Sequence, residues 1–450
     1  MSEGLPAPRV RVVLINFDGG DVTLRCLDAL RKTDYPADRM EVVVVDNASV
    51  DGLTWVIREQ YPEVHLIESL TNEGFARGNN LALQDLTDVD LVALVNNDTI
   101  PEPGWLWPLV EAVTSADDIG AACPKLVLRA PAVGVQLEAE ADPAPGVPDR
   151  AVEVSGVRLD GSDAWDAARF DERFQPPEET GDGEWPRARW SAAVASLWFP
   201  IEDGEPAPRR LTVRLRATRD KTVTLRTPDR TQTVEVGTSP RWVTIPLTPF
   251  DVINNAGGAL YTGWFGGDRG FLEPDLGQYD EPVDVFAWCG GAVVLRTDYL
   301  AEVGLFDPHF FLYYEDFDLS WRGRQLGWRY RYVPQSVIRH EHAYSSKEGS
   351  DFFRFWVDRN RRLALVKNAP APVALRAAAG AVLGAGRNVV EHTIIRARQR
   401  RPPSPRWMRH RVRQLGSFGK AVPAMVSQRR ELRRHRVVDD VAIESWMLSK

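Results

Sequence analysis

Cysteine is scarce: 450 residues hold only Cys26, Cys123 and Cys289, all far apart. That excludes a disulfide framework and a cysteine zinc cluster, and it suits a reducing cytoplasm. No run of roughly eighteen apolar residues occurs, and the opening MSEGLPAPRVRVVLINF shows no basic-then-apolar leader. Neither a membrane span nor a secretory signal is therefore expected. The dinucleotide fingerprint G-x-G-x-x-G is missing too, since only one glycine of TNEGFARGNNLAL would fit it; this argues against a nicotinamide dehydrogenase. No glycine-rich, basic phosphate loop opens the chain, which disfavours a nucleotidyltransferase.

What is present points to a soluble globular protein, with 44% hydrophobic and 26% charged residues. The length exceeds that at which single cores stop growing, so two domains are the default. The net charge of -8 hides an asymmetry: between Arg396 and Arg436, fourteen Lys/Arg face one acid, Glu431. Such a tail suits nucleic acid, an anionic membrane surface or the acidic body of the same chain. A solvated helical face with no partner is an equal reading.

The first third alternates β-branched runs (RVRVVLINF, MEVVVVDNAS, VDLVALVNND) with stretches of helical periodicity. This predicts an α/β fold, a doubly wound sheet with ligands beyond the carboxyl ends of its strands. Polar residues gather at those ends: Asn16 and Asp18, Asp46 and Asn47, and Asn96, Asn97 and Asp98. From about Val135 to Gly183 the chain is rich in Pro, Asp, Glu and Gly, and from Leu211 period-two alternation broken by turns such as TPDR and TSPR follows; together they predict an inserted β-sandwich-like domain over Ala141 to Thr248. The expected organisation is a discontinuous nucleotide-binding domain over 1–140 and 249–369, the insertion over 141–248, and a helical basic region over 370–450.

Each polar cluster carries two readings. Asp46 can accept hydrogen bonds from a base imide or ribose hydroxyls, or it can build a turn with Asn47 and Ser49. Gly74 and Gly78 allow close backbone approach, and a helix opening near Asn79 would favour a phosphate. Asp98 can hold Mg²⁺ or Mn²⁺ beside a diphosphate, or form an Asx turn.

VVLINFDG, VVVVDNASVDG, TNEGFARGNN, LVNNDT, WCGGAVVLR and FFLYYEDFDLSWR stand in the order found in family 2 glycosyltransferases. They most resemble the bacterial rhamnosyltransferase-like branch that builds surface polysaccharides. The resemblance covers about Arg9–Pro131 and Ile253–Asn368. It implies a GT-A fold and transfer, with inversion, from a nucleotide-sugar donor (dTDP-rhamnose or a UDP-sugar) to a glycan or lipid-linked acceptor in cell-envelope polysaccharide synthesis. Asp18 and Asp46 would then contact base and ribose. Asn16, Asn47, Asn72, Gly74, Phe75, Asn79 and Asn97 would line the same site.

The resemblance further implies Asp98 and His340 as holders of Mg²⁺ or Mn²⁺, with His342 as an alternate. One departure stands out: Asn96 replaces the first acid of the usual Asp-x-Asp motif. Asp316 is the expected general base with Glu315 second, and aromatic surroundings would raise its pKa. Asp318 is expected to cap a helix or pair with Arg322. Trp288, Gly290 and Gly291 would face the acceptor, although core packing of Trp288 is an equal reading. The expected location is cytoplasmic, with peripheral contact at the inner face of the cell membrane through the basic tail and no nucleic-acid partner. The alternative function is a non-catalytic glycan-binding protein with a degenerate transferase core.

Overall fold

The computed structural model describes residues 6–144, 147–180, 182–341, 350–390 and 405–449. His342 and the basic stretch 396–404 lie outside the described residues. The chain divides into two compact units, one of 1–126, 255–269 and 282–450, the other of 127–254 and 270–281.

The α/β class expected is the one observed. In the first unit the apolar runs become β1 (Val10–Asn16), β2 (Met40–Asp46), β3 (His65–Glu68), β4 (Leu91–Val95), β5 (Thr99–Pro101) and β6 (Ile119–Leu128). Helices α1 (Gly20–Leu30), α2 (Leu53–Gln60), α3 (Gly74–Ala82) and α4 (Leu106–Thr114) connect them. Val12, Leu14, Val44 and Val45 are completely buried, and each such side chain contributes about 1.5–3 kcal/mol. The main sheet runs β3-β2-β1-β4, then Ala292–Arg296, β6, Arg329–His340 and Val283–Asp284. β2 and β4 flank β1 in parallel, so the strand order reverses beside β1. A crevice opens at such a point beyond the carboxyl ends.

The parallel arrangement stops at β4, where Ala292–Arg296 runs antiparallel. The sheet is mixed, a feature that buried apolar runs do not disclose. Cys26 and Cys123 are buried, and burial pushes both thiols up to about 12; they serve as small core hydrophobes.

The second unit is a pair of antiparallel sheets. One orders Glu178–Glu179, Arg187–Trp190, Glu153–Leu159, Arg210–Arg216 and Arg241–Pro246; the other orders Arg169–Phe170, Val194–Pro200, Ala132–Ala139, Lys221–Thr227 and Arg230–Val236. Alternation places Val133, Val135, Leu137, Val154, Leu211 and Leu225 in one core. This unit takes in 127–140, 249–254 and 270–281 besides the 141–248 stretch expected from composition. Ala132–Ala139 is a central strand of its second sheet, and its apolar AVGV start resembles the buried strands preceding it.

The helical remainder of the first unit holds α5 (Thr297–Val303), α6 (Glu315–Gln325), α7 (Asp351–Asn368), α8 (Ala371–Val390) and a long helix, Pro405–His435. Ser350 caps α7 by accepting from the Phe353 N–H at 3.1 Å. Lys367 of α7 is buried, with Nζ 2.8 Å from both Asp307 and Asp318. Asp318 also accepts from Arg322 Nε at 3.0 Å and Asn368 Nδ2 at 2.8 Å. Among the described residues, no helix is long and apolar enough to cross a membrane.

Candidate active site

The register of β1 against β2 sets Asn16 beside Asp46 at the crevice. Asn16 Nδ2 donates to Asp46 Oδ1 at 2.7 Å and to Ser49 Oγ at 3.0 Å. Its Oδ1 accepts from Thr23 at 2.8 Å and from Asn97 Nδ2 at 3.3 Å. Asp46 also accepts from the N–H and hydroxyl of Ser49, so both its oxygens are engaged in the turn. Asp18 stands exposed with φ 48 and accepts the Val50 N–H at 2.7 Å. Asn47 donates to the Gly74 carbonyl at 3.0 Å, while its buried Oδ1 has no hydrogen-bond partner among the described residues. A buried acceptor left open costs roughly 1–3 kcal/mol, which an N–H of a bound base would recover.

Gly74 is required by both conformation and space. Its φ is 70, and a Cβ there would lie 2.3 Å from the Phe311 carbonyl oxygen. Asn72 Oδ1 caps the turn by accepting the Gly74 N–H at 2.9 Å. The next residue, Phe75, donates its N–H to Phe311 O at 2.8 Å and sets its ring edge-on to Phe306. Asn79 is buried and donates back to Phe75 O at 2.9 Å, so its side chain supports α3 rather than the crevice.

The Gly290–Gly291 pair joins the two halves of the site. The Gly290 N–H donates to Asp316 Oδ2 at 2.9 Å, and the Gly291 carbonyl accepts from the Asn96 N–H at 2.9 Å. A Cβ on Gly290 would meet the Phe75 ring at 3.1 Å, and one on Gly291 would meet Leu126 at 3.1 Å. Next to Asn96, Asp98 Oδ1 lies 3.0 Å from His340 Nε2, both side chains nearly buried. Among the described residues no three His, Cys, Asp or Glu converge on one point. Asp98 and His340 are thus a two-donor set, which fits a hard cation that takes its remaining ligands from phosphate oxygens and water.

The three acids of α6 separate by environment. Asp318 is fully buried in the Arg322–Lys367–Asn368 network and is structural. Glu315 is buried, its Oε2 without a hydrogen-bond partner among the described residues, and burial together with the neighbouring Asp316 charge pushes its carboxyl well up. Asp316 remains partly exposed, accepting the Gly290 and Phe317 N–H groups. Burial raises its carboxyl and those two donors oppose the shift. A reachable carboxylate poised above its ordinary range is what a general base requires.

Trp288 departs from the acceptor role. It is 1% exposed and packs edge-on against Phe306, so its face is closed to a sugar. Its aromatic–glycine context carries no signal separating the two outcomes. Thr23, which bridges Asn16 and Asn97, lies inside α1 and has no local signature in the sequence.

Residues 11–127 match the model of Glycosyl transferase family 2. A glycosyltransferase of Haloferax volcanii, AglE, is 25% identical over 118 residues, 25% of this chain and 38% of that protein. An N-acetylglucosaminyl-diphospho-decaprenol L-rhamnosyltransferase of Mycobacterium tuberculosis is 38% identical over 76 residues, 17% of this chain and 22% of that protein. The chain thus spans less than half the length of these curated relatives. Among solved structures, GalNAc-T7 with UDP, GalNAc and Mn²⁺ aligns with a TM-score of 0.46 at 13% identity, covering 94% of this chain and 58% of that one. The mannosyltransferase PcManGT of Pyrobaculum calidifontis, with GDP-Man and Mn²⁺, aligns with a TM-score of 0.37 at 14% identity, covering 93% and 88%.

Proposed function

We propose that the chain is an inverting glycosyltransferase of GT-A type, moving a sugar from a nucleoside-diphosphate donor to a hydroxyl of a glycan or lipid-linked acceptor. The observation that carries this reading is the Gly290–Gly291 turn, which ties Asp316 to the strand-end cluster of Asn96. A base and a nucleotide crevice held by one backbone segment suit attack opposite a leaving diphosphate.

In that reaction Asp316 accepts the proton of the acceptor hydroxyl. The hydroxyl oxygen bonds to the anomeric carbon as the carbon–oxygen bond to the diphosphate breaks, and its electron pair leaves with the diphosphate. Asn47 and Asp18 take the base side of the donor, and Gly74 and Phe75 its sugar-diphosphate side. Asp98 and His340 would hold Mg²⁺ or Mn²⁺. When bound, that cation offsets charge on the leaving diphosphate. Asn96 contributes at most a neutral amide oxygen, weaker for a hard cation than a carboxylate.

The test is release of nucleoside diphosphate from a panel of UDP-, GDP- and dTDP-sugars with Mg²⁺ or Mn²⁺. Asp98→Ala is expected to raise the Mn²⁺ concentration for half-maximal donor-dependent thermal shift about tenfold or more; an unchanged titration removes Asp98 from the metal site. Absence of turnover with every donor, together with polysaccharide binding by the chain, would favour the non-catalytic reading instead.

The rhamnosyltransferase among the relatives supports dTDP-rhamnose as the first donor to try and a cell-envelope acceptor. Such acceptors are lipid-linked, which suits a cytoplasmic enzyme touching the inner membrane face through its basic C-terminal region. Arg413→Glu, Lys420→Glu and Arg430→Glu together, all exposed on the Pro405–His435 helix, are expected to abolish sedimentation with phosphatidylglycerol liposomes at low salt. Retained sedimentation would rule out the tail as the contact.

A further inference from the structure

Two consecutive tyrosines precede the acids of α6 in a backbone conformation that side chains rarely adopt. Tyr313 has φ 70 and Tyr314 has φ 69, values at which glycine is the usual residue. A strained turn persists only when its surroundings over-determine it, and such turns gather at functional sites. Here the surroundings can be named. Asn360, in the middle of α7 and fully buried, donates its amide to Leu312 O at 2.9 Å and to Tyr313 O at 2.8 Å. Its Oδ1 accepts from Arg359 Nη1 at 2.6 Å, and the same nitrogen donates to His309 O at 2.8 Å. Arg359 is anchored in turn by Nε on Ser417 Oγ at 2.8 Å. Phe311 stacks on Trp356 of α7 with centroids 4.9 Å apart.

The carbonyls of His309, Phe311, Leu312 and Tyr313 are therefore all held by donors from other segments, three of them from α7. We infer that Asn360 is a positioning residue for Asp316: it holds the Tyr313–Tyr314 turn in its left-handed state, and that turn aims the first turn of α6 at the Gly290 N–H. Helix α7 thereby acts as a clamp on the base rather than as mere packing. The consequence for turnover rests on Asp316 being the base; the clamp itself does not.

The test compares wild type with Asn360→Ala in the full chain by hydrogen exchange and by steady-state kinetics. Exchange at the amides of 310–318 is expected to quicken about tenfold or more, with β1 and β4 unchanged. The kcat is expected to fall by about tenfold to a hundredfold, a larger factor than any rise in donor KM, since the base is displaced directly and the donor loop only through the Phe311 carbonyl. Tyr313→Gly in the same chain supplies a residue at ease with positive φ and should restore part of both the protection and kcat. Asn360→Leu, similar in volume but without the donors, replaces alanine if that variant does not fold. Unchanged exchange at 310–318, a double variant no better than the single, or a kcat loss that vanishes once turnover is normalised to the folded fraction measured by circular dichroism overturns the clamp. If wild type turns over no donor, the proposed function fails, while the exchange and rescue results still decide the clamp.

Discussion

Asp316→Asn is expected to lower kcat about 10²–10⁴-fold, measured as nucleoside diphosphate release, while donor binding stays within about twofold. The substitution keeps the shape but removes the proton acceptor; Gly290 and Phe317 donate to different carboxylate oxygens, so the single amide oxygen keeps one of the two backbone hydrogen bonds. Glu315→Gln should retain most activity, because Glu315 is closed to the crevice by burial. The reverse pattern would transfer the role to Glu315. The pH profile supplies an independent sign. Burial raises the Asp316 carboxyl, and the base must be ionised to act. Activity should therefore fall as pH drops through a value above the ordinary carboxylate range, and a limb at or below that range would contradict the assignment. For stability the raised pKa works in the opposite sense. The folded state holds protons that the unfolded state has released, so Glu315 and Asp316 both cost stability as pH rises above their ordinary values.

Lys367→Met is expected to destabilise the first unit by about 3–5 kcal/mol in urea unfolding. Lys367 Nζ sits 2.8 Å from Asp307 and 2.8 Å from Asp318, all three side chains at most 2% exposed. Without the ammonium two carboxylates lose a shared counter-ion; Asp318 keeps Arg322 and Asn368, whereas Asp307 keeps His309 and the more distant Arg359 charge. Burial alone would push the Asp307 carboxyl up, yet Lys367 and the His309 N–H hold it below the usual range. Its contribution is accordingly present above the ordinary carboxylate pKa and is lost as pH falls through the depressed one. A loss below about 1 kcal/mol would mean that the network is neutral to stability.

The parts of the site legible in the sequence are those written locally. Asn16, Asp46 and Asn96–Asp98 each close an apolar run, and a polar residue at the end of a buried strand has little place to go but the sheet's edge. The strands of the second unit announced themselves by alternation, as in LTVRL. What escaped depended on partners distant in the chain. Asn360 looks like any polar residue in an amphipathic helix until Tyr313, 47 positions earlier, is seen to need it. No glycine flags the Tyr313–Tyr314 turn, because strain imposed by neighbours leaves no compositional trace. Trp288 beside two glycines read equally as a sugar platform and as core, and only burial separates the two.

Gly74 carries a consequence for how such a protein can change. With a Cβ placed 2.3 Å from the Phe311 carbonyl, position 74 admits a side chain only if the loop at 309–314 is rebuilt together with it. Neither loop can drift alone. Substitution is thereby channelled away from this junction, toward exposed positions such as Phe17, whereas its neighbour Asp18 is itself tied to the Val50 N–H.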